Sequence, residues 1–82
     1  MNIYLLSHNR DFRYDTYDSC VVSAKDVESA IKIHPSGHKR VEWWLEDMEF
    51  DSWVRPEEVF CCLIGKSISE EEGVICARFN AG

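Results

Sequence analysis

The sequence predicts a small α+β domain: a mainly antiparallel four-stranded sheet, in the order β-β-α-α-β-β, with helices packed on one face. Three observations predict it. Four short runs, residues 2–7, 19–24, 58–65 and 74–79, are rich in Ile, Val, Leu, Phe and Cys. Between the second and third runs, apolar residues recur at helical spacing. The chain has 82 residues, the length of one domain, and no repeat or Gly/Ser-rich linker divides it. The expected domain is therefore 1–82, with residues 38–53 reading as an insertion within it.

The first run places Ile3, Leu5 and Ser7 on one face and Tyr4 and Leu6 on the other. Apolar residues on both faces predict a buried strand. Residues 8–18 are polar and aromatic, with Asn and Asp whose side chains bond nearby backbone, and they predict a loop. Residues 19–24 form the second strand on β-branched content. Asp26 then stands as N-cap of a short helix, with Val27, Ala30, Ile31 and His34 along one face. Pro35 disfavours helical geometry at His34, and Ser36 and Gly37 end the helix.

Val41, Trp44, Leu45 and Met48 fit an i, i+3, i+4, i+7 pattern, which predicts a second amphipathic helix over 41–48. Beyond it Asp47, Glu49 and Asp51 alternate with Met48 and Phe50, so this part reads equally as extended chain. Arg55 and Pro56 mark a turn. Residues 58–65 are the most strand-like run in the chain, residues 66–72 an acidic loop ended by Gly73, and 74–79 the last strand.

The formal net charge is −6, unevenly spread. Residues 41–72 hold ten acidic side chains against Arg55 and Lys66 alone. Direct binding to a nucleic-acid backbone needs clustered Lys and Arg, and this pattern argues against it. It suits a basic protein surface. No apolar run approaches the length of a membrane span, and the first residues carry neither a basic leader nor a long apolar stretch. The expectation is a cytoplasmic protein. Cys20, Cys61, Cys62 and Cys76 each lie in an apolar run and are expected as reduced core residues.

Two constellations could carry function. One is the acidic aromatic segment. Trp43 and Trp53 bury large area with a polar handle, and Glu46, Asp47 and Glu49 would favour a basic partner. Its bland counterpart places Trp53 in the core. The other is the loop with Tyr14, Asp15, Tyr17 and Asp18, which could contact a small molecule or ion. Its spacing is not that of an EF-hand, and folded-back rings with Asx-turns account for it as well. His34 and His38 match half of a zinc site in spacing only, since Pro35 and Gly37 interrupt the helix that would align them. Cys61 and Cys62 point to opposite strand faces and make no redox pair. No phosphate-binding loop, dinucleotide glycine pattern, nucleophile elbow or zinc-protease motif is present. No metal or cofactor is expected, and no catalytic residue is identified.

The loop Tyr14-Asp15-Thr16-Tyr17-Asp18-Ser19, Ile33-His34-Pro35-Ser36 after the short helix, and the closing Gly73-Val74-Ile75-Cys76-Ala77-Arg78-Phe79-Asn80-Ala81-Gly82 belong together. This arrangement resembles a family of short uncharacterised proteins encoded by bacteriophages and prophages. The resemblance covers most of the chain and departs from it over 38–52. It implies a phage accessory protein acting in a bacterial host cell, with no catalytic residue to carry over. By analogy of class, it implies a candidate for disarming host defence. The expected function is thus a non-enzymatic binding module for a host protein. The alternative is a small-molecule or ion binder, as a monomer or an oligomer, using the Tyr14 to Asp18 loop.

Overall fold

A computed structural model describes residues 1–9, 16–37 and 53–80. The elements among these residues are β1 (Asn2–Ser7), β2 (Thr16–Ala24), α1 (Val27–Ala30), a 3-10 turn (Pro56–Glu58), β3 (Phe60–Lys66) and β4 (Gly73–Asn80). The four strands form one sheet in the order β3-β1-β2-β4, and each neighbouring pair is antiparallel. The radius of gyration, 12.1 Å, is that of a compact single domain, for which about 12 Å is expected at this length.

The strand expected over 2–7 is β1, a central strand of the sheet. Only one of its faces is fully buried: Leu5 on the other is 37% exposed, which corrects the expectation of a strand buried on both faces. Tyr4 and Leu6 face the core, and their partners in register across β2 are Val22 and Cys20. Ala24, Ala30, Trp53 and Val54 complete that core. Each large side chain so buried contributes about 1.5–3 kcal/mol. The other face of the sheet carries a row across all four strands. Cys62, Leu5, Val21 and Cys76 stand side by side in register.

Among the described residues, α1 is shorter than expected. α1 spans four residues and packs on β2 and β1. Asp26 is its N-cap, accepting from the Ser29 N–H at 2.8 Å. That bond holds the Asp26 carboxyl below its usual range. Only Ala30 of α1 is buried, and Val27, expected on the inner face, is half exposed. So short a helix has little more than one turn to offer the core. The helix expected over 41–48 lies outside the described residues.

Two boundaries are corrected. β2 starts at Thr16 rather than at 19, because Thr16 and Tyr17 pair with Asn80 and Phe79 of β4. The turn that begins at Arg55 continues as the 3-10 turn, so β3 starts at Phe60.

Candidate functional site

The feature of the described structure most open to a partner is the sheet itself, on the face turned away from α1 and at its outer strands. Strand alternation puts Leu5, Phe60, Cys62 and Cys76 on that face, and all four are exposed. Phe60 is 56% exposed and Leu5 37%. On the opposite side, α1 and the Trp53–Val54 pair cover the two central strands more fully than the outer ones. Leu63 of β3 shares a face with Tyr4 and is still 55% exposed. Ile64 and Ile75 fall where the ladders shift register and are exposed as well. On the face turned away from α1, Cys62, Leu5, Val21 and Cys76 are neighbours in register, and adjoining exposed apolar side chains mark an interaction surface.

Of the residues expected at a partner surface, Trp43, Glu46, Asp47 and Glu49 lie outside the described residues. Trp53 is 1% exposed, and its ring meets His8 edge-on at 5.1 Å between centroids. It is a core residue, and its indole is not presented at the surface. Of the expected ligand loop, Tyr14 and Asp15 lie outside the described residues. Tyr17 and Asp18 belong to β2 and not to a loop. The Tyr17 ring packs edge-on against Phe79 at 4.9 Å and against His34 at 6.2 Å. Asp18 sits at the register shift of β2 and forms an ion pair with Arg78 at 3.5 Å.

His34 is buried, and its surroundings fix its tautomer. The Ser36 backbone N–H donates to Nδ1 at 3.1 Å, and the Ser36 Oγ lies 2.8 Å from the same atom. A backbone N–H can only donate, so Nδ1 is unprotonated and the ring proton sits on Nε2. The Ser36 hydroxyl then donates as well. The Ser36–His34 contact resembles a nucleophile with its base, but the lone pair a base would use is already engaged by the backbone. The Gly37 N–H donates to the His34 carbonyl at 2.9 Å and closes the turn. This cluster locks the chain reversal after α1. His38 lies outside the described residues. His8 donates from Nε2 to the Tyr17 carbonyl at 2.9 Å, tying the end of β1 to β2.

All four cysteines are free. Cys20 is buried, and burial first, then the neighbouring Cys76, pushes its pKa up to about 12. Cys61 is half-buried and its pKa is also raised, mainly by burial. Cys62 and Cys76 are exposed, which corrects the expectation that all four lie in the core. Alternation is the reason: Cys62 follows inward-facing Cys61, and Cys76 stands opposite Val21 on the outer face.

Among the described residues no three His, Cys, Asp or Glu side chains gather in a way that would hold a metal ion. A shallow depression beside α1 is lined by Lys25, Asp26, Glu28, Ser29 and Lys32, all polar, with Glu28 and Lys32 paired at 3.5 Å. No helix of the described residues is long and apolar enough to cross a membrane.

The exposed residues Leu5, Phe60 and Leu63 were not singled out by sequence, and Cys62 was expected in the core. A signal existed in the run 59–64, which is apolar at every position. A strand buried on both faces reads that way, and a short domain has little room for a second one. No protein-family model matches the chain, and no curated protein or solved structure matches it.

Proposed function

We propose that the chain is a non-enzymatic protein-binding module, a phage-type accessory protein that docks on and inhibits a host protein through the exposed apolar face of its sheet. The observation that carries this reading is the row Cys62, Leu5, Val21 and Cys76, flanked by Phe60, on a face with neither helix nor turn of the described residues packed across it. The partner that fits has an apolar centre and a basic rim. The net charge of −6, concentrated over 41–72, favours the basic rim and would steer encounter at low salt. The reading needs no catalytic group, and the polar clusters at His34 and α1 are accounted for by local structure.

The test is co-purification of the tagged chain from bacterial cells, followed by titration of the captured protein, purified on its own, against wild type and two face variants. Leu5→Lys and Cys76→Lys put a cation at the centre and at one side of the face. Circular dichroism would establish that each is folded. The expected result is binding that weakens at least tenfold in either variant and falls as salt rises. Folded variants that bind as tightly as wild type would remove the face from the proposal. Failure of any protein to co-purify in stoichiometric amount would remove the module reading itself.

A further inference from the structure

We propose that the outer edge of β3 is a self-association site, where a second copy of the chain pairs antiparallel and continues the sheet. Among the described residues β3 is an edge strand, with β1 on one side and no strand on the other. Its sequence is Phe-Cys-Cys-Leu-Ile-Gly-Lys, with no charge and no proline before Lys66. Natural edge strands are guarded by Lys, Pro or inward-pointing charge, because their unpaired N–H and C=O groups template pairing with another chain. β3 is instead written like an interior strand, with apolar residues on both faces. Phe60, Leu63 and Ile64 are all more than half exposed. The one interruption is a register shift at Ile64, and residues 60–63 pair regularly with β1. The opposite edge, β4, carries Arg78, tied to Asp18 of the neighbouring strand. That leaves β3 the less guarded of the two.

The charges flanking β3 select the occupant. Glu57 and Glu58 precede the strand, and Lys66 closes it. An antiparallel copy related by a two-fold axis near Cys62 brings the acidic end of each strand to the partner's Lys66. The pattern is self-complementary, as an isologous interface requires. A whole molecule at net −6 repels its copies, so the attraction must be local, and β3 supplies it. Cys62 lies mid-strand and is exposed, so the axis sets two equivalent thiols within cross-linking reach of each other.

The experiment is sedimentation of the full chain in reductant over a wide concentration range, for wild type, Lys66→Glu and the double variant Glu58→Lys/Lys66→Glu. The expected wild-type result is a monomer–dimer equilibrium. Lys66→Glu replaces two opposite-charge contacts by two like-charge ones and should weaken the dimer about tenfold. The double variant should recover most of the loss, and an equal mixture of Glu58→Lys and Lys66→Glu chains should form a heterodimer. Mild oxidation should give a covalent dimer that Cys62→Ser abolishes and Cys76→Ser does not. A wild-type chain that stays monomeric throughout would overturn the proposal, including a monomer that captures an extended foreign peptide on this edge. So would a dimer indifferent to Lys66→Glu, or one cross-linked through Cys76. None of these variants touches Leu5 or Cys76 by charge, so failure here leaves the partner face to its own test.

Discussion

Leu5 and Leu6 are neighbours of identical chemistry, and strand alternation sends them to opposite faces. Leu6 has no exposed surface and packs in the core, whereas Leu5 stands on the open face. Leu6→Ala should cost about 2–5 kcal/mol, a large share of the roughly 5–15 kcal/mol available to such a domain. Leu5→Ala should cost about 1 kcal/mol or less. Urea denaturation of the two variants measures the contrast directly, and equal losses would mean that both faces are covered. Cys20 gives a second prediction at this scale. In the unfolded chain its thiol ionises near the ordinary value of 9.0, while in the folded chain it keeps its proton up to about 12. The folded state therefore holds the proton that the unfolded state releases. The associated stability is complete below pH 9 and is lost progressively as pH rises from about 9 to about 12. Cys20→Ala should flatten, without abolishing, the fall in urea midpoint above pH 9, since the half-buried Cys61 acts in the same direction. An alkaline profile unchanged by the substitution would show that Cys20 is solvated.

Among the elements, what could be read in advance is what depends on local pattern alone. β1 is legible to the residue, and so is the Asp26 cap, because strand alternation and capping are short-range rules. The start of β2 is not. Asp18 carries turn-forming chemistry, and only the pairing of its neighbours Tyr17 and Ser19 with the distant β4 makes this stretch strand. The opposite faces of Cys61 and Cys62 are legible, but the exposure of β3 is not, because it follows from strand order, which a single strand's sequence does not encode. The reversal after α1 is legible through Gly37, whose φ of 83° lies in the left-handed region. No atom lies within 4 Å of where a Cβ would stand, so the backbone angle alone penalises a side chain there. Gly37→Ala should cost about 1 kcal/mol. Gly65→Ala, in β3 with equally open surroundings and no such angle, should be neutral or raise Tm slightly. Thermal melts of the two variants compare them, and equal behaviour would mean that the turn at Gly37 adapts.

At the scale of the whole molecule, the described residues expose large apolar side chains on both outer strands, Phe60, Leu63 and Ile64 on β3 and Ile75 and Phe79 on β4, a heavy load for so short a chain. Association at the β3 edge changes what stability means for such a chain, because unfolding then includes dissociation and becomes dependent on concentration. Unfolding entropy near 60 °C is about 2.1 cal/mol/K per residue, so two chains of 82 residues together gain about 0.34 kcal/mol/K on unfolding. A tenfold rise in concentration favours the dimer by about 1.5 kcal/mol at that temperature, so Tm should climb by about 4 °C per tenfold. Lys66→Glu should melt lower than wild type at high concentration, and should lose most of this slope in the range where wild type remains dimeric. Scanning calorimetry at several concentrations in reductant reads both quantities. A wild-type Tm independent of concentration would place the exposed surface of β3 on a monomer, and the continuous sheet would have to be abandoned.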